Sequence, residues 1–163
     1  MKGNPEVIAY LQEVLKAELT AINQYFLHAE MAENWGYHKN SKVTRKESIE
    51  EMLHAEALIE RILYLDGSPN MSELFPLRIG QNIKAQLEND LQLEYEAVAR
   101  LNKAVTAAVA ANDNGSRELF VKILTDEEHH IDYLEGQIHA LQEMGYENYL
   151  AQQLGEPGEG GGH

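Results

Sequence analysis

Apolar residues recur along this chain at intervals of three and four, in four long stretches separated by turn-forming residues. That period marks helices with one buried face. The first stretch opens on Asn4-Pro5-Glu6, which supplies an N-cap, a proline at the first helical position and an early acid. It predicts a helix over 5–34 that stops near Gly36. A second helix is expected over 39–65, ended by Asp66-Gly67-Ser68-Pro69, and a third over 82–111. NDNGS at 112–116 reads as a turn, after which a fourth helix runs to Met144 with Gly145 as its C-cap. Residues 146–154 suit one short extra helix, whereas GEPGEGGGH at 155–163 has nothing apolar to bury and is expected to be a disordered tail. No sustained alternation bounded by hairpin turns suggests a strand.

The first and third connections are short, but residues 66–81 form a long one. Extended, that segment spans at most about 53 Å, and a helix the length of the second is about 40 Å long. It can return along the whole bundle and make helices two and three parallel. The predicted fold is therefore all-α: one domain over 1–154, a four-helix bundle with a long crossover between helices two and three plus a short C-terminal fifth helix. A fifth helix of that length is not stable alone and is expected to be fixed by packing against neighbouring copies.

Two of the apolar faces contain a glutamate. Helix one presents Leu11, Leu15, Glu18, Ile22 and Tyr25, and helix three presents Leu87, Leu91, Glu94, Val98 and Leu101. A buried unpaired carboxylate is costly, so it is neutralised or bound to a cation. Helices two and four each carry Glu-x-x-His, as Glu51/His54 and Glu127/His130. Residues three apart share one side of a helix, so each motif can aim a carboxylate and an imidazole at one point. Glu18 and Glu94, Glu51 and Glu127, and His54 and His130 are all 76 positions apart. The two halves read as copies of one helix pair about a pseudo-twofold axis.

One Glu-x-x-His is ordinarily chance or a surface pair. Two of them, with matched core glutamates at a common offset, are hard to explain as solvated faces. Four carboxylates and two imidazoles balance two divalent cations. Such donors without sulfur suit iron or manganese, with zinc as a competitor, and this constellation is the dinuclear carboxylate site of helical bundles. Glu50 and Asp126, just before the two motif glutamates, read either as exposed acids or as partners that orient a ligand histidine. Tyr25 reads as a core tyrosine with one hydrogen bond, the alternative being a proton or electron donor to the site. His28, His38, His129, His139 and His163 lack such partners and are expected at the surface or at interfaces.

Composition narrows the function. The 163 residues include 27 Asp+Glu against 13 Lys+Arg, a formal net charge of -14, which argues against a nucleic-acid partner. Cysteine is absent, so metal ligands must be His, Asp or Glu. The N-terminus lacks a signal-peptide apolar region and no run approaches a membrane span, so no membrane association and a cytoplasmic location are expected.

Long ordered stretches carry a resemblance over residues 1–154: ELTAINQYFLHAEM, ESIEEMLHAEALIERILYLDGSPN, LRIG, ENDLQLE, DEEHHIDYLEGQI and GYENYL. The chain resembles the bacterioferritins. The resemblance implies Glu18 and His54 on one iron, Glu94 and His130 on the other, and Glu51 and Glu127 bridging. It implies a homo-oligomeric cage of about 24 subunits built from twofold dimers. The cage would oxidise iron(II) with O2 or H2O2 at a ferroxidase centre and store the ferric mineral. It further implies a haem b between two subunits, held by Met52 and its twofold mate, and a ferredoxin-type reductant for iron release. Ile22, Phe26, Ile49 and Ile59 would wall the haem pocket, although a packing methionine is the commoner use of Met. Lys46, Leu58 and Tyr133 depart from residues common in the family. Two rival classes remain at this point: a stand-alone di-metal enzyme, and a metal-free helical module in which the six polar residues pair with one another.

Overall fold

The computed structural model describes residues 1–157, which form five helices: α1 (Pro5–Trp35), α2 (His38–Tyr64), α3 (Ile83–Ala110), α4 (Asn114–Met144) and α5 (Tyr146–Gln152). Among the described residues there is no strand, and no helix is long and apolar enough to cross a membrane. Residues 158–163 of the Gly-rich tail, His163 included, lie outside the described residues.

Local devices set the helix ends. The Asn4 side chain accepts the N–H groups of Glu6 and Val7 at 2.9 and 3.2 Å. Gly36 ends α1 in the left-handed region, at φ 91°. Helix α4 begins inside the run expected to be a turn. Asp113 accepts the Ser116 N–H at 3.0 Å and the Ser116 hydroxyl at 2.7 Å, so Asn114 and Gly115 are already helical. Arg61 of α2 reaches the same cap and donates to Asp113 at 2.7 Å and to Ser116 at 3.0 Å. A Cβ at position 115 would lie 2.6 Å from the Arg61 guanidinium and would push it off this cap.

The crossover follows α1 along its length. Gln12, Thr20, Gln24 and His28 accept the backbone N–H groups of Asn70, Phe75, Arg78 and Gly80, at 3.0, 2.9, 3.0 and 2.9 Å. These acceptors follow the inclined row of residues four apart along α1 and meet the crossover in the same chain order. The segment thus runs parallel to α1 and delivers α3 to the end where α2 begins, so α2 and α3 are parallel. This ladder also corrects the surface or interface placement expected for His28, which is 1% exposed within its own chain. Its Nδ1–H donates to Asp90 at 2.9 Å while Nε2 accepts from Gly80. His38 is half-buried beside Glu33, and His129 and His139 are exposed.

The apolar interior is divided. One cluster gathers Val7, Leu11, Leu15, Leu58, Ile62, Leu101, Phe120 and Ile123, and a second gathers Ala32, Ile83, Leu87, Leu134, Leu141 and Tyr149. Between them lies a layer of buried polar side chains. Ile22, Leu91 and Val98 of the expected stripes are half-buried rather than fully so. Helix α5 is anchored within its own chain. Tyr149 is 1% exposed, donates to Gln137 at 2.6 Å and accepts from Asn40 at 3.1 Å. The carbonyls of Gln153 and Leu154 accept from Lys39 and His38 at the start of α2.

Candidate metal centre

Glu18 of α1, Glu51 and His54 of α2, Glu94 of α3, and Glu127 and His130 of α4 meet in the polar layer, and all six are buried. They form two overlapping groups, Glu18–Glu51–His54–Glu127 and Glu51–Glu94–Glu127–His130. Within each group, one ligand-type atom of every member lies within 4.8 Å of the others. Glu51 and Glu127 belong to both, the position a bridging carboxylate would take.

The six side chains face one another at ion-pair distance without closing hydrogen bonds. His54 Nδ1 lies 3.3 Å from Glu127 and 3.6 Å from both Glu18 and Glu51. His130 Nδ1 lies 3.2, 3.5 and 3.8 Å from Glu51, Glu94 and Glu127. Yet Glu18 Oε2, both Glu51 oxygens, His54 Nδ1, Glu94 Oε2, Glu127 Oε1 and His130 Nδ1 are buried with no hydrogen-bond partner. Leaving a buried polar atom unbonded costs about 1–3 kcal/mol, more when charged. Convergent donor atoms of this kind fit a pair of cations.

Charge within the layer is tightly correlated. Burial pushes the Glu127 carboxyl well above the usual range, and Glu51 and Glu94 push it further. Burial also opposes ionisation of Glu51, but the imidazoles of His130 and His54 beside it outweigh this and hold Glu51 low. Burial pulls His130 down, and Glu51 and Glu94 more than reverse this, raising it to about 12. A metal binding here displaces protons.

The outer nitrogens of the imidazoles are held by acids. His54 Nε2 lies 2.8 Å from Asp126, and His130 Nε2 lies 2.8 Å from Glu50. Of the two readings open for these acids, the contact is the one observed, and it turns each Nδ1 inward. Tyr25 is fully buried and its hydroxyl donates to Glu94. Burial first, then Glu94, push its phenol well above the usual value. Glu47 escaped the sequence reading, although it lies one helical turn before Glu51. It is buried, and burial raises its carboxyl to about 8.

Two openings reach the layer. A groove of about 540 Å³ between α2 and α4 is lined by His54 and His130, and its walls include Lys46 and the half-buried Tyr133. A cavity of about 140 Å³ on the α1/α3 side ends on Glu18, Glu51, Glu94 and Glu127. Leu58 lies fully buried in the first apolar cluster. Met52 stands apart from the six: it is 55% exposed, as are Phe26 and Ile49 at 53%, with Ile22 and Ile59 half-buried.

The ferritin-like domain family matches residues 8–144 of this chain. The bacterioferritin of Mycolicibacterium paratuberculosis is 50% identical over 157 residues, covering 96% of this chain and 99% of that protein. That of Streptomyces coelicolor is 49% identical over 151 residues, covering 93% and 90%. That of Brucella melitensis is 47% identical over 149 residues, covering 91% and 92%. With the bundle, its crossover and the paired Glu-x-x-His motifs in place, these matches show that the chain belongs to the bacterioferritins, within the ferritin-like family.

Proposed function

We propose that this chain stores iron, and that Glu18, Glu51, His54, Glu94, Glu127 and His130 bind two iron(II) ions and form a ferroxidase centre. The observation that carries this reading is the set of buried, unpartnered donor atoms on these six residues. Iron(II) is the substrate. Two iron(II) ions give two electrons to one O2, which takes two protons and leaves as H2O2. Alternatively they reduce one H2O2, with two protons, to two waters. Pairing the electrons avoids a one-electron oxygen radical. Glu51 and Glu127 hold both ions at once, and Asp126 and Glu50 keep the imidazoles aimed as charge on the ions rises. Manganese or zinc would suit the same donors.

The chain would work as a cage of about 24 copies built from twofold dimers, oxidised iron being deposited inside. A contiguous exposed apolar patch marks an interface. Phe26, Ile49 and Met52 supply one, and a contact about a twofold axis would bring Met52 against its own copy. Two thioethers facing each other between apolar walls fit a haem b, which when bound would relay electrons from a ferredoxin-type reductant to the ferric mineral for iron release.

Aerobic addition of iron(II) to the purified protein, followed by size measurement and iron counting, tests the reading. A large assembly that oxidises iron(II) and retains far more than two irons per chain is expected. A monomer at micromolar concentration, or one that retains two or fewer, would exclude storage.

A further inference from the structure

The two openings to the metal centre differ in width and charge. We propose that Phe75, held by Lys16 and Arg100, closes the α1/α3 opening to cations and leaves it to the neutral oxidant, so that metal reaches the centre through the α2/α4 groove. This rests on the dinuclear reading above.

The α1/α3 cavity of about 140 Å³ has room for only a few waters, at about 30 Å³ each. Its inner end is the four carboxylates, and its outer end is made by Phe75, Pro76 and Arg78 of the crossover with Arg100 of α3. The Lys16 ammonium lies 4.3 Å from the centre of the Phe75 ring, and the Arg100 guanidinium lies 4.8 Å from it. Both are within cation–π range, so two cations hold the ring. Its backbone is fixed too, because Thr20 accepts the Phe75 N–H at 2.9 Å.

The charges around this plug do not cancel. Arg78 pairs with Glu96 at 2.8 Å and Arg100 with Glu13 at 3.7 Å, but no carboxylate lies in ion-pair reach of Lys16 among the described residues. Lys16, Arg78 and Arg100 against Glu13 and Glu96 leave one net positive charge at the mouth. A hydrated dication meets repulsion there and must shed water to pass. O2 and H2O2 meet neither barrier, and the small apolar walls Ala17, Ala21 and Ala97 suit O2. The α2/α4 groove is nearly four times larger, and its Lys46 and Lys122 are balanced by Glu50 and Asp126.

Anaerobic stopped-flow loading of cobalt(II), followed by its ligand-field absorbance, separates the two routes. The full chain is compared with Phe75→Ala, with Lys16→Gln/Arg100→Gln, and with Ala57→Trp, which narrows the groove. Every variant should bind two cobalt ions per chain at equilibrium. Both gate variants should load about tenfold faster. Ala57→Trp should load several-fold slower, and adding Phe75→Ala should restore its rate. Normal stoichiometry with unchanged rates in both gate variants, or an unchanged rate in Ala57→Trp, overturns the gate alone. A wild-type chain that binds no cobalt overturns the metal-centre reading and the gate with it.

Discussion

Asp126 holds His54 at 2.8 Å across 72 positions of sequence, and Glu50 holds His130 at the same distance across 80. Each acid sits beside a glutamate of its own helix but serves the imidazole of the opposite one. Helices α2 and α4 are thus tied by two reciprocal bonds at the centre. Asp126→Ala should leave the fold intact and weaken cobalt(II) or zinc(II) affinity by about 10–100-fold. An anaerobic competition titration measures this, and wild-type affinity would remove Asp126 from the site's support.

Met52 faces away from the metal layer and is exposed among apolar neighbours. Met52→Leu keeps volume and apolar character, so the bundle should form normally. Haem absorbance should disappear while the initial rate of iron(II) oxidation stays near wild type. An unchanged haem spectrum in the variant would mean that another group ligates it.

Asp113 caps α4 and pairs with Arg61 of α2. Asp113→Ala should cost about 1–2 kcal/mol, read as a lower denaturation midpoint at neutral pH. Burial opposes ionisation of this carboxyl, but the Ser116 N–H, the Ser116 hydroxyl and Arg61 outweigh it and hold it below its ordinary value. A depressed folded-state pKa stabilises fully above the unfolded value, about 3.9, and the contribution is lost as pH falls through the folded value. The gap between wild type and variant should therefore close only below about pH 4. A gap already absent at pH 6 would contradict the assignment.

Tyr149 ties α5 to the body of its own chain through Gln137 and Asn40. Tyr149→Phe leaves both amides short of a partner and should cost about 1–2 kcal/mol, measured by thermal unfolding. Truncation after Gly145 removes the whole side chain from the second apolar cluster and should cost more. If truncation leaves the midpoint unchanged, the helix is a passenger in the isolated chain.

The six residues that converge were legible because helical spacing and a 76-residue offset are properties of sequence alone. So was the crossover, since only a long connection can make α2 and α3 parallel. What the sequence hid was contact between elements. His28 looked like a lone surface histidine because its partners, Asp90 and the Gly80 N–H, lie 62 and 52 positions away. The gate residues were silent for the same reason: Lys16, Phe75 and Arg100 have no shared period and meet only once the crossover lies on α1. The start of α4 was misplaced because Asn-Gly reads as a turn until the Asp113 cap and the close approach of Arg61 are seen.

Anaerobic iron(II) titration of wild type and Glu94→Ala tests the metal centre most directly. Glu94 is buried, and removing a buried carboxylate also removes its desolvation cost, so the variant should fold. Wild type should bind two ions per chain at the centre. Glu94→Ala should lose tight binding of one of them and, on admission of O2, the fast oxidation phase. Two tightly bound ions and an unchanged oxidation phase in Glu94→Ala would contradict a centre built from these six residues.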